Sequence, residues 1–247
     1  MTAGHVPVPV RLWVRQMLRN RAIYLELNGE EAVRITSTGT PQGGVLSPTL
    51  WNLALNPLLI TIEQEFPEVL IQAYADDVTV MLTGIDPSVL RIRMTMILTR
   101  ISKWCDEHGL GFNKKKTELV MFTLNKKWTW KKLMVDGEEV PLRTQTKYLG
   151  LILDSKLTWT KQIEERTRKA RVIMVQCKNI IGRKWGLKPN MMHWLYTAIV
   201  RPVMTYACVI WVAGLLDAKT KVGKLQKIQR MSLLERCDRR QPQLWKR

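Results

Sequence analysis

The sequence predicts an α+β fold: helices and strands intermixed over residues 1–156, then helices alone over 157–247. Three observations predict it. Asn28-Gly29 sits between two β-prone runs, "AIYLEL" and "AVRITST", which is the strongest short-range hairpin signal. Capped helical periodicities alternate with short apolar runs up to "KYLGLIL". Beyond Trp159 the strand signals stop and the spacing is helical throughout.

In chain order, Pro9 to Asn20 has helical spacing, and the Asn28-Gly29 hairpin follows it. Ser47-Pro48 reads as an N-cap with proline in the first turn, where its missing N–H costs nothing, and apolar residues continue to Ile62. Pro57 is expected to kink or break that helix. The stretch "AYADDVTVML" sets Asp76 and Asp77 between Val69–Tyr74 and Val78–Leu82, as the tip of a second hairpin. Asp86-Pro87 caps a long helix that Gly109 ends in a left-handed conformation. "TELVMF" and "KKLMV" read as strands, Asp136-Gly137 as a turn and "KYLGLIL" as one further strand. The tail divides into helices over 159–181, 189–213 with Pro202 as an interruption, and 217–236. Trp159, Trp185, Trp194 and Trp211 are assigned to its core.

A chain of 247 residues, 46% hydrophobic, buries a real core, which excludes global disorder. Its formal charge of +18 points to a polyanionic partner, nucleic acid ahead of a membrane surface. The charge is unevenly placed: residues 1–100 hold eight basic and nine acidic side chains and no lysine, residues 101–247 thirty-one and twelve. Four widely spaced cysteines without a CxxC pair, beside only three histidines, read as reduced thiols and not as a zinc site. The start, "MTAGHVPVPVRLW", lacks the apolar core of a signal peptide, and the uncharged stretch 35–62 is too rich in Pro, Asn, Gln and hydroxyls for a membrane span. An intracellular protein, nuclear or cytoplasmic, is expected.

Adjacent carboxylates at a hairpin tip repel each other. With few cations among the first hundred residues, Asp76 and Asp77 need a counter-charge, and a divalent metal supplies one: Mg²⁺ takes hard oxygen ligands and leaves positions for water and substrate phosphates. On the dipeptide alone a solvated turn remains the commoner explanation. Upstream, Gln42-Gly43-Gly44 offers a backbone that a ligand can approach closely, with an amide beside it; a loop before a helix is the competing explanation.

"GTPQGGVLSPTLWN", "YADD", "HGLGFNKKKTELVMF" and "KYLGLILDSKLTW", in this order and at these separations, resemble the palm motifs of reverse transcriptases from non-LTR retrotransposons. Group II intron reverse transcriptases share the first two, while "YTAIVRPVMTYACVIW" and "KLQKIQRM" look closer to the retrotransposon group. The resemblance implies a polymerase palm, an incomplete antiparallel sheet with packed helices over 1–156 including a primer-grip hairpin, followed by an all-α thumb over 157–247. It implies RNA-directed DNA polymerase activity with an RNA template, a DNA primer, deoxynucleotides and Mg²⁺ or Mn²⁺. Asp76 and Asp77 match the metal-binding aspartates; Tyr74 and Ala75 would line the site near the primer end and incoming nucleotide; Gln42, Gly43 and Gly44 would pack on nucleotide and template. Lys116 matches a lysine near the nucleotide phosphates, where an ammonium could stabilise or protonate departing pyrophosphate. Leu149 and Gly150 match the primer grip. Lys161, Arg166, Arg168, Lys169 and Arg171 crowd one thumb helix and are the candidates for tracking the sugar-phosphate backbone.

The resemblance is incomplete. Such a polymerase uses a further aspartate on a first palm strand upstream of the 9–20 helix, and "MTAGHVPV" contains no acidic residue. The basic fingers are missing as well. The expectation is therefore an incomplete part of a larger polyprotein with weak or no activity by itself, whose partner is the missing fingers and palm portion. A non-catalytic nucleic-acid-binding remnant and an intron-type maturase are the alternatives.

Overall fold

The computed structural model describes residues 6–125, 127–180, 189–215 and 218–238. Mixed helices and strands make up two compact units, Met1–Lys114 with Thr129–Glu139, and Lys115–Trp128 with Val140–Arg247. The junction expected near 156 falls inside the second unit.

In the first unit, α1 (Val8–Leu18) leads into a hairpin of β1 (Arg21–Leu27) and β2 (Glu30–Thr36). Asn28 and Gly29 are both left-handed, φ 54° and 83°, the geometry for which an Asn-Gly turn is suited. Its open end is tied where Arg21 Nη2 donates to the Thr38 and Gly39 carbonyls at 2.7 and 2.8 Å. No residue of α1 or of this hairpin is buried; Tyr24, Leu25, Val33 and Ile35 are all exposed.

Helix α2 (Ser47–Glu65) begins at the expected serine, but Leu46 takes the N-cap position. The Ser47 hydroxyl is diverted, donating at 2.6 Å to the Pro41 carbonyl of the preceding loop. Pro57 does not break the helix as expected. Leu55, Leu58 and Ile62, on either side of it, are buried, and burying that face offsets the roughly 3 kcal/mol of an internal proline. The strands β3 (Leu70–Tyr74) and β4 (Asp77–Met81) form the second hairpin, and α3 (Pro87–Glu107) follows. Asp86 caps α3 as predicted, accepting from the Ser88 N–H at 2.7 Å, and Gly109 is left-handed beyond its end. Ile97, Ile101 and Trp104 of α3 are buried, as are Phe66 and Ile71 in this unit. Arg100 of α3 fastens to Glu65 of α2 through a forked ion pair at 3.1 Å. A small hairpin of β6 (Leu133–Val135) and β7 (Glu138–Val140), later in the sequence, turns at Asp136-Gly137 as expected.

A 3-10 turn (Lys114–Lys116) precedes the second unit's first strand, β5 (Leu119–Val120), which pairs in parallel with β8 (Leu142–Arg143). "TELVMF" thus contributes two strand residues only. "KYLGLIL" is not one strand: it divides into β9 (Gln145–Tyr148) and β10 (Leu151–Asp154) around Leu149-Gly150. Among the described residues the ten strands form five separate two-stranded ladders, in place of the single antiparallel sheet expected.

The helical tail has α4 (Thr160–Ile180), α5 (Pro189–Leu195), a π-turn (Tyr196–Val200), α6 (Arg201–Met204), α7 (Cys208–Trp211) and α8 (Lys219–Asp238). The expected helix over 189–213 is broken into pieces at the π-turn, beside Pro202, and at left-handed Ala207. Leu151, Trp159, Ile163, Trp211 and Leu215 form one core cluster; Ala170, Met174, Val200, Met204 and Ile228 form another. Trp159 and Trp211 are core residues as expected, Trp194 is exposed instead, and Trp185 lies outside the described residues. Cys105, Cys177 and Cys208 are free thiols. Among the described residues no helix is long and apolar enough to cross a membrane.

Candidate active site

The hairpin tip that carries the paired carboxylates is a two-residue turn, Ala75-Asp76, closed by the Tyr74↔Asp77 pair. Ala75 is left-handed, φ 52°, at a position where glycine would be free of strain. An alanine in that region costs about 1–2 kcal/mol, and the structure shows what holds it: the indole Nε1 of Trp51, on α2, donates to the Ala75 carbonyl at 2.7 Å. Both strands of the hairpin approach the core through one face, with Ile71 buried and Val78 and Val80 half-buried. The other end of the hairpin projects Tyr74, Asp76 and Asp77 outward, all exposed.

Among the described residues neither carboxylate has a hydrogen bond or an ion pair, and no third His, Cys, Asp or Glu joins them. Two neighbouring hard-oxygen donors, uncompensated and open to solvent, match the ligand chemistry of Mg²⁺, which is held by one or two carboxylates and keeps most of its coordination for water and phosphates.

Gln42, Gly43 and Gly44 belong to the loop folded back on the start of α2. Gly43 is left-handed at φ 79°, the Gly44 N–H donates to the Pro41 carbonyl at 3.2 Å, and the Ser47 N–H donates to the Gly44 carbonyl at 3.1 Å. A Cβ on Gly44 would stand 2.7 Å from the Ser47 oxygen, so a larger residue there would displace the hydroxyl that bonds the Pro41 carbonyl. Seven residues after Gly44, on the same helix, Trp51 grips the Ala75 carbonyl; the Gln-Gly-Gly loop and the aspartate turn thus share α2 as their support.

In the second unit, Lys116 is exposed at the end of the 3-10 turn. Its neighbour Lys114, in the first unit, is engaged elsewhere, 3.2 Å from Asp136, which also accepts from Ser102 at 2.6 Å; these two contacts hold the Asp136 carboxyl below its ordinary range. Leu149 and Gly150 form the tip between β9 and β10, both left-handed at φ 45° and 78°.

The basic residues of α4 are less available than their number suggests. Arg168 and Lys169 both pair with Glu165, at 2.8 and 3.5 Å, and the Arg168 hydrogen bond leads in lowering the Glu165 carboxyl to about 2. Lys161 lies 3.5 Å from Glu164, which Lys224 of α8 also engages at 3.0 Å. Arg171 is exposed and makes none of these pairs. Arg166 is 6% exposed and faces inward, so its place is in the protein interior and not on the surface expected to meet phosphates.

Residues 1–153 match the family model described as reverse transcriptase (RNA-dependent DNA polymerase). The chain belongs to the reverse transcriptase family. Its relatives in Drosophila melanogaster include a probable RNA-directed DNA polymerase from transposon BS, 24% identical over 92% of this chain and 25% of the relative. Another is the RNA-directed DNA polymerase from mobile element jockey, 23% identical over the same shares. A third, the putative 115 kDa protein in type-1 retrotransposable element R1DM, is 21% identical over 92% of this chain and 22% of its own length. The chain thus spans about a quarter of the length of these relatives. No solved structure matches it. Sequence reasoning missed Trp51, inside the matched residues, and Gln162 and Tyr206, beyond them; each holds a main-chain atom of a turn or strand end. Trp51 stands inside "GTPQGGVLSPTLWN" and Tyr206 inside "YTAIVRPVMTYACVIW", and membership of those motifs was the available signal; Gln162 had none.

Proposed function

We propose that the chain supplies the palm and thumb of an RNA-directed DNA polymerase of a non-LTR retrotransposon, joining deoxynucleotides to a primer 3′-hydroxyl on an RNA template. The observation that carries this is the pair of uncompensated carboxylates on a strained turn anchored by Trp51. Asp76 and Asp77 are the groups that would hold Mg²⁺ or Mn²⁺; when bound, the metal neutralises phosphate charge and orients the reacting oxygens. Tyr74 and Ala75 border the primer end and nucleotide. Gln42 hydrogen-bonds across the nucleotide and template while Gly43 and Gly44 admit close approach. Lys116 meets the phosphates and supports pyrophosphate departure, Leu149 and Gly150 meet the primer, and Lys161, Arg168, Lys169 and Arg171 follow the duplex backbone.

Titration of Mn²⁺ followed by electron paramagnetic resonance tests the metal assignment directly. The native chain should take up Mn²⁺, and Asp76→Asn with Asp77→Asn should abolish the uptake. Equal uptake by the double variant would overturn the reading and leave a nucleic-acid-binding domain without catalysis. Incorporation by this chain alone should be weak, since among the described residues no third His, Cys, Asp or Glu joins Asp76 and Asp77.

A further inference from the structure

Two-residue turns with consecutive left-handed residues ordinarily take Asn-Gly or Asp-Gly, and the chain does so at Asn28-Gly29 and Asp136-Gly137. At Leu149-Gly150 it does not. A leucine at φ 45° is sterically disfavoured, and the residue is 39% exposed, so it is not placed there for the core.

Three side chains from the helical tail hold the main chain around this turn. The Tyr206 hydroxyl donates to the Leu149 carbonyl at 2.7 Å. Arg166 Nη2, from α4, donates to the Gly150 carbonyl. One turn earlier on α4, Gln162 Oε1 accepts from the Ile152 N–H at 3.0 Å. The clamp is itself braced: the Arg166 guanidinium lies 4.5 Å from the Tyr206 ring centroid, a cation–π arrangement, and Trp211 Nε1 donates to the Tyr206 carbonyl at 3.0 Å. A Cβ on Gly150 would come within 3.4 Å of the Tyr206 ring, so the aromatic is seated against the turn itself.

Arg166 and Gln162 are 6% and 0% exposed, and among the described residues Arg166 Nε and Gln162 Nε2 find no acceptor. Leaving such groups buried without a partner costs their desolvation, a penalty no surface-binding arginine would carry. Their contacts with the turn are what that cost maintains.

We infer that Gln162, Arg166 and Tyr206 are positioning residues that lock the Leu149-Gly150 turn to the helical tail and aim the Leu149 side chain at the primer strand. The functional half rests on the proposed primer role of that turn. The clamp makes the turn part of the same unit as α4, so a duplex held along α4 and the primer-side contact move together.

The test uses the full chain with Tyr206→Phe, which deletes the hydroxyl and keeps the ring against Gly150 and Arg166, and with Arg166→Met and Arg166→Lys. Amide exchange at 149–151, read by mass spectrometry, should accelerate about five- to tenfold in Tyr206→Phe, the factor corresponding to one lost hydrogen bond of about 1 kcal/mol, while exchange in α8 stays unchanged. Fluorescence anisotropy then compares an RNA–DNA duplex with a recessed primer 3′ end against a blunt duplex. The native chain should prefer the recessed end, Tyr206→Phe and Arg166→Met should lose that preference at unchanged blunt-duplex affinity, and Arg166→Lys should restore part of it. Unchanged exchange in Tyr206→Phe overturns the clamp. Accelerated exchange with an intact end preference keeps the clamp and overturns the primer role. Equal weakening on both duplexes in Arg166→Met, with a salt slope smaller by about one, would return Arg166 to the phosphate contacts and overturn the inference.

Discussion

Removing the Asp154 carboxylate should undo the corner that joins β10 to α4. Its Oδ1 accepts from the Lys156 and Thr158 N–H groups at 3.2 and 3.0 Å; its Oδ2 accepts from the Trp159 N–H and the Thr158 hydroxyl at 3.0 and 3.1 Å. Leu157 and Trp159 are both left-handed within this corner, so the chain has no regular structure of its own there. A hydrogen bond to a charged acceptor contributes about 1.5–3 kcal/mol, and loss of a helix-capping side chain costs about 0.5–2 kcal/mol. The carboxylate is half-buried and the four bonds share one acceptor group, so solvent screening and non-additivity reduce the sum. Asp154→Ala should therefore cost about 2–3 kcal/mol, and Asp154→Asn, which keeps one carbonyl oxygen, about 1–2 kcal/mol. In urea, with a slope of roughly 2 kcal/mol per molar, Asp154→Ala should lower the unfolding midpoint by about 1 M, followed by tryptophan fluorescence. Burial pushes the Asp154 carboxyl up, but the bonds from Thr158, Trp159 and Lys156 outweigh it and hold it below the ordinary range. A depressed folded-state value means that the stabilisation is fully present above the unfolded-state value near 4 and fades as pH falls through the folded-state value. The gap between the native chain and Asp154→Asn should accordingly be full at pH 7 and shrink below about pH 4. A midpoint unchanged in Asp154→Ala, or a gap that widens in acid, would contradict this role for the carboxylate.

Trp51→Phe should preserve packing but release the Ala75 carbonyl, weakening Mn²⁺ uptake several-fold with a urea midpoint lower by no more than about 0.5 M. Glu165→Gln frees Arg168 and Lys169, so duplex affinity should rise and the salt dependence of binding steepen, measured by anisotropy between 50 and 200 mM salt, the range over which about 6–10 phosphate contacts cost 10³–10⁵ in affinity. Ser102→Ala removes the hydroxyl bonded to Asp136 and should cost about 1 kcal/mol in urea unfolding. Leu25→Lys with Ile35→Lys, two exposed apolar residues of the first hairpin, should change stability by less than about 0.5 kcal/mol while reducing self-association in analytical ultracentrifugation.

Element placement was legible where local chemistry decides it. Asn28-Gly29, Asp86-Pro87, Gly109 and Asp136-Gly137 act through their own backbone preferences, and all four do in the structure what they do in isolated turns and caps. Of the two outcomes expected at Pro57, a kink or a break, the break does not occur, because tertiary burial of Leu55, Leu58 and Ile62 outweighs a local penalty. "KYLGLIL" was misread as a strand because Leu149 has no turn propensity; its left-handed conformation is imposed by Tyr206, 57 residues away. The same separation hid the employment of Arg166. In sequence it is one more cation on a basic helix; in space it donates to the Gly150 carbonyl and lies over the Tyr206 ring, and nothing in a helical periodicity of charges distinguishes it from Arg168. Asp76 and Asp77 stood out because two like charges at a hairpin tip contradict ordinary turn chemistry, and the anchor that tolerates them, Trp51, lies inside a motif already singled out. The two hairpin turns that depart from the local rule, Ala75-Asp76 and Leu149-Gly150, are the two given roles in the proposal, and strain of this kind persists where surrounding structure over-determines it.

Extension of a DNA primer on an RNA template, with purified chain, Mn²⁺ and all four deoxynucleotides, bears most directly on the role of Asp76 and Asp77. Low but metal-dependent incorporation by the native chain, none by Asp76→Asn with Asp77→Asn, and duplex affinity in that variant equal to or higher than native are the predicted results. Incorporation that survives the double substitution would contradict the assignment of these carboxylates to the reaction.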